Sequence, residues 1–141
     1  MKVSAKTEYA CLAMLDLAAS HSRGEPVRIR DIAEHHDIPS RFLVQILLQL
    51  KGAGLVNSTR GASGGYQLSR EPDEITLADV ISVIEGPREV ATVAASGSPV
   101  SKVLAGVWNE VASAEEAHLR EITLSDLVDR AADQTRDMYY I

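Results

Sequence analysis

Apolar positions recur at helical spacing along most of the chain, and the breaks between those runs define its elements. Tyr9, Leu12, Ala13, Leu15, Leu17 and Ala19 follow the period of a first helix, with Thr7 as its predicted cap and "HSRGEP" as its end. A short extended lead-in, "VRI" at residues 27–29, precedes a second run at Ile29, Ile32, Ala33 and Ile38, which Asp37 and Pro39 break. Ser40 suits an N-cap. From it "SRFLVQILLQLKGAG" places Phe42, Leu43, Ile46, Leu47 and Leu50 on one face until Gly52 or Gly54 stops the helix.

The period then changes. "LVNSTR" and "YQLS" read as two short strands around a glycine-rich tip, which predicts a hairpin. Thr76 caps a further helix that turns Leu77, Val80, Ile81 and Ile84 inward and ends at Gly86-Pro87. "PREVATVAASGSP" has no period. After it Val103, Leu104, Val107, Trp108, Val111, Ala114, Leu119 and Ile122 keep one stripe for about five turns. A second capped segment, "TLSDLVDRA", and a polar tail ending "MYYI" complete the chain, and no internal repeat stands out. The predicted class is mainly α with a small β-hairpin wing. Residues 1–86 form a winged helix-turn-helix, 87–99 a linker loop, and 100–141 a dimerisation helix with a C-terminal segment.

Charge sharpens this division. The net charge is −6, yet residues 1–70 hold nine Lys/Arg against six Asp/Glu, and residues 71–141 five against fourteen. A basic half beside an acidic half suits a protein that offers one face to a polyanion. No apolar run approaches the roughly 18 residues of a membrane span, and the first residues lack a signal peptide's apolar core, so a cytoplasmic protein is expected. The single cysteine, Cys11, excludes an intrachain disulfide and any site built from several thiolates of one chain.

In a helix-turn-helix the second helix enters the major groove with its N-terminal residues at base edges. Here those are Ser40, Arg41 and Gln45, with Val44 between them. Arg pairs with guanine O6 and N7, Gln with adenine N6 and N7, and valine touches a thymine methyl. Such helix pairs also serve purely as packing units. In the wing, Gly61, Gly64 and Gly65 permit positive φ and close approach to a phosphate backbone, and Arg60 can enter a minor groove or pair with phosphates. Tyr66 re-anchors the returning strand. A plain loop with a solvated arginine is the alternative. Lys2, Lys6 and Lys51 are candidates for phosphate contact.

These residues resemble the Rrf-two family of bacterial winged-helix transcription regulators. The likeness runs through "KTEYACLAMLDLA", "IRDIAEHHDIPSRFLVQILLQLKGAGLVNSTRGASGGYQLSR" and "EITLADVISVIEGP", then more loosely through "VWNEV" and "ITLSDLV". It implies a homodimer, with the helix from about residue 100 crossing its partner and two recognition helices on a palindromic operator; the stripe itself predicts dimer contacts through Val103, Leu104, Val107, Trp108 and Val111, and the reading as a whole is a repressor on double-stranded DNA. Many members hold an iron-sulfur cluster through three cysteines in the loop before that helix. "PREVATVAASGSPVSK" has none, which points to the cluster-free branch, with no cofactor and a regulatory protein, small molecule or redox change as the signal. Val44 stands where the family commonly has an acidic residue.

Other residues read more plainly. Glu8, at a position some members use to complete the cluster, is expected to be a first-turn helix acid. Adjacent histidines point to different helix faces, so only one of His35 and His36 is expected to reach a shared ion with Glu8 of a neighbouring subunit, and no metal site is expected. Cys11 falls on the apolar side of its helix as an inert thiol. No nucleophile-base pair or phosphate loop suggests catalysis. Two rival readings stand beside the regulator: a winged-helix protein-interaction module, and a redox or metal sensor with unusual ligands.

Overall fold

A computed structural model describes residues 1–86 and 97–139, with backbone alone for 137–139. Most of the expected linker, 87–96, and the end of "MYYI" lie outside the described residues. Helix α1 (Ala5–Ser20) is capped by Ser4, whose hydroxyl oxygen accepts the Thr7 N–H at 3.1 Å. Thr7, expected as the cap, is instead buried in the first turn. Its hydroxyl donates to Glu85 Oε1 at 2.8 Å, which meets the hydrogen-bonding need of a buried group.

Helix α2 (Ile29–His36) ends where Asp37 takes the left-handed conformation (φ 54°) and donates its N–H to the Ala33 carbonyl. Aspartate tolerates that region better than most residues, which lets the chain reverse within three residues. In helix α3 (Ser40–Gly52) the N-cap position falls on Pro39, and no side chain caps the end. Ser40 is therefore the exposed first helical residue rather than the cap. Leu43, Ile46, Leu47 and Leu50 are buried as expected. Phe42 is not: it is 42% exposed, tilted against Tyr9 with ring centroids 6.2 Å apart.

Strands β1 (Val56–Thr59) and β2 (Gly65–Leu68) pair antiparallel, with Val56 opposite Leu68 and Thr59 opposite Gly65. The "VRI" lead-in joins them through reciprocal backbone bonds between Val27 and Tyr66 of 2.9 and 2.8 Å, so Tyr66 does re-anchor the wing. That third segment accounts for Gly65: a Cβ there would stand 2.5 Å from the Val27 carbonyl oxygen.

Helix α4 (Leu77–Glu85) starts with a full capping box between Thr76 and Asp79. Helix α5 (Pro99–Glu121) is followed by α6 (Leu124–Tyr139), whose first turn has the same reciprocal arrangement between Thr123 and Asp126. The backbone N–H and hydroxyl of Thr123 hold the Asp126 carboxyl below its ordinary pKa. The two starts are copies of one short stretch, "EITLAD" and "EITLSD", and they pair: Leu77 N–H donates to Ile122 O at 3.0 Å and Leu124 N–H to Ile75 O at 2.9 Å. This is a local repeat that the sequence reading missed, because the two copies are too short and too far apart to announce themselves.

The pairing also redraws the domain boundary. Leu124 is fully buried in the same core as Met14, Leu17, Ile32 and Leu47, and Val128 packs against it. Thus α6 returns to pack on α1 and belongs physically to the winged-helix unit rather than to a separate C-terminal segment. Only α5 projects. Its Leu119 is buried with Ala78 and Ile81, but Val100, Val103, Leu104, Val107, Trp108 and Val111 are 43–79% exposed.

Candidate nucleic-acid interface

The turn at Asp37 sets α3 on the surface with one ridge outward. Arg41, Val44, Gln45 and Leu48, at spacings of three and four, are all exposed along that ridge, with Ser40 at its N-terminal end. Leu48 escaped the sequence reading, although its place four residues after Val44 was the available signal; it is 56% exposed, more than Val44. The Arg41 guanidinium lies over the Phe42 ring, 5.1 Å from its centroid, a cation–π contact that restrains the side chain beside the ridge. Behind Phe42 a cavity of about 370 Å³ opens between α1 and α3, lined by Ala5, Lys6, Tyr9, Phe42, Gln45 and Ile46. Lys6 of α1 and Gln45 of the ridge thus line the same cavity.

Lys51 closes α3 and donates from Nζ to Ser58 Oγ of β1 at 2.7 Å, fixing the wing to the recognition helix while two ammonium protons remain for other acceptors. Arg60 is exposed where β1 leaves for the tip. The three wing glycines separate by role. Gly61 has φ 106° with open space around it, as a surface approach requires. Gly64 is buried, and a Cβ there would sit 2.2 Å from the Thr59 carbonyl oxygen. Gly64 and Gly65 thus make room for the chain itself.

Two helices joined by a tight turn, an outward ridge of exposed side chains and a flanking hairpin define a winged helix-turn-helix DNA-binding protein. The chain belongs to the Rrf2 family, described as an iron-dependent transcriptional regulator, which matches residues 3–130. It is similar to the HTH-type transcriptional regulator CymR of Bacillus subtilis, at 37% identity over 100% of both chains. The solved structure of CymR, the global cysteine regulator of B. subtilis, aligns with a TM-score of 0.82 at 36% identity, covering 92% of this chain and 98% of that one. T. potens IscR gives 0.77 at 39%, covering 93% and 88%. The protein is a DNA-binding transcription regulator of this family.

The donor set does not fit a cysteine-ligated cluster. Such a centre takes several thiolates, and this chain has one cysteine. Cys11 is packed against the core, where burial, then the charges of Glu8 and Glu85, push its thiol up to about 11 from an ordinary 9.0. Glu8 occupies the first turn of α1, as expected.

Proposed function

We propose that the protein is a homodimeric repressor that binds a palindromic operator in the cytoplasm without an iron-sulfur cluster or a catalytic role. The exposed apolar face of α5 carries this reading. Six large apolar side chains from Val100 to Val111 stand in solvent on a single chain, and a contiguous patch of that kind marks an interface. A second copy supplies the matching stripe by two-fold symmetry, because the same face meets itself. Two ridges then address two half-sites, as dimeric helix-turn-helix proteins do.

Within each half-site, Arg41 and Gln45 are the base readers, and Val44 makes apolar contact. Arg60 with Gly61 reaches into the adjacent minor groove or its phosphates, and Lys6 and Lys51 contact the backbone. A regulatory protein or small molecule acts as the signal. Selection of genomic fragments by the purified protein tests the whole reading. Wild type enriches one palindrome, Arg60→Ala loses it, and Arg41→Ala binds it about 1–3 kcal/mol more weakly with relaxed preference at one base pair. Absence of enrichment, or equal binding of every variant to every sequence, would replace the regulator by a protein-interaction module.

A further inference from the structure

We propose that Asp16, His35 and His36 form a binding site for a divalent transition-metal ion of the zinc, cobalt or nickel kind. The two histidines, although adjacent in sequence, do not diverge as expected. Both end α2, where their rings lie 4.0 Å apart and tilted by 38°, and both turn toward the α1 carboxylate. His35 Nδ1 is 3.0 Å and His36 Nε2 is 2.8 Å from Asp16 Oδ1. One ligand atom from each residue lies within 4.8 Å of the other two.

The donor set selects the class of ion. Two imidazole nitrogens and one carboxylate oxygen suit borderline transition metals, whereas magnesium and calcium take oxygen. Zinc sites with three protein ligands keep a fourth position for water. Bonds of about 2.0–2.1 Å in a tetrahedral site hold ligand atoms about 3.3 Å apart, so the two short separations need to open by only a few tenths of an ångström. In the ion-free protein these nitrogens hydrogen-bond the carboxylate. On binding, each imidazole presents its lone pair to the ion instead, and its remaining proton moves to the far ring nitrogen.

The surroundings favour a cation. The side chains of Asp16 and His36 are recessed, at 14% and 18% exposure, while His35, at 66%, leaves an open path from solvent. Among the described residues no lysine or arginine pairs with Asp16, so its charge is met by the imidazoles alone. The carbonyl end of α2 adds a partial negative charge. His36 directly precedes the Asp37 turn that leads into α3, so an ion here clamps α1 to the helix-turn-helix joint.

Cobalt titration of the full chain, followed by visible absorbance and by zinc competition, tests the site. One ion per chain is expected. Asp16→Asn and His36→Gln should each weaken binding by more than the roughly 10–100-fold that loss of an outer-shell partner causes. His21→Ala and His118→Ala, at the other two histidines, should bind as wild type. Zinc should also raise the melting temperature of wild type and not that of Asp16→Asn. His35→Ala, at the most exposed ligand, keeps the test valid if the recessed variants fail to fold. Wild type that takes up no cobalt or zinc at tenfold excess, or equal affinity in wild type and His35→Ala, overturns the proposal.

Discussion

Helices α3 and α5 carry apolar residues at the same spacing and meet opposite fates. On α3, Leu43, Ile46, Leu47 and Leu50 are at most 1% exposed, covered by α1, α2 and α4. On α5, Val103, Leu104, Val107, Trp108 and Val111 remain 43–70% exposed, and Leu119, near its far end, is the helix's one buried apolar side chain among the described residues. An apolar stripe states that a face is to be buried, not by what. The winged half completes its own core, with Leu124 of α6 as the last piece, whereas α5 leaves its stripe exposed. The outward faces differ in the same sense: that of α3 carries the ridge of Arg41, Val44, Gln45 and Leu48, and the apolar side of α5 is itself the outward one.

That contrast can be broken first at its closed end. Leu47→Ala removes a fully buried side chain and should cost about 2–5 kcal/mol of unfolding free energy, read by chemical denaturation at fixed protein concentration. A loss below about 0.5 kcal/mol would mean that the α3 face is not the closed core described. At the open end, Trp108→Ala should leave the helical circular dichroism intact and weaken self-association by about 2–4 kcal/mol, followed by sedimentation across micromolar concentrations. A wild-type protein that sediments as a monomer there would deny α5 its partner.

The smallest effect concerns Cys11, at the edge of the closed core. Its folded thiol titrates near 11 rather than 9.0, so folding favours the protonated form. The associated stability is fully present below pH 9 and is lost as pH rises toward 11. The thiol should resist iodoacetamide in the folded protein at pH 8 and react faster as pH climbs toward 11. Labelling at pH 8 as fast as in denaturant would show that α1 is not sealed against the core.

Local signals determined much of this molecule before any packing was known. The 3.6-residue period, the break at Asp37-Ile38-Pro39 and the glycine-rich tip between alternating runs are read within a few residues of one another. Together they specify a helix pair, a hairpin and the likeness to a regulator family. The exposed positions of Arg41, Gln45 and Arg60 follow directly, since the N-terminal half of a helix's outer face and a hairpin's foot are defined by local geometry.

What the tertiary structure decided lies between segments. Ser4 rather than Thr7 caps α1 because Thr7 is needed by Glu85, 78 residues away. Gly64 and Gly65 answer to the backbones of Thr59 and Val27. Phe42 stays outside although its neighbours on α3 are buried, and Asp16 meets two histidines 19 and 20 residues further on. Periodicity fixes the face of a helix, because side-chain direction follows from backbone angles alone. What that face meets depends on how helices cross, and no spacing within one of them encodes it.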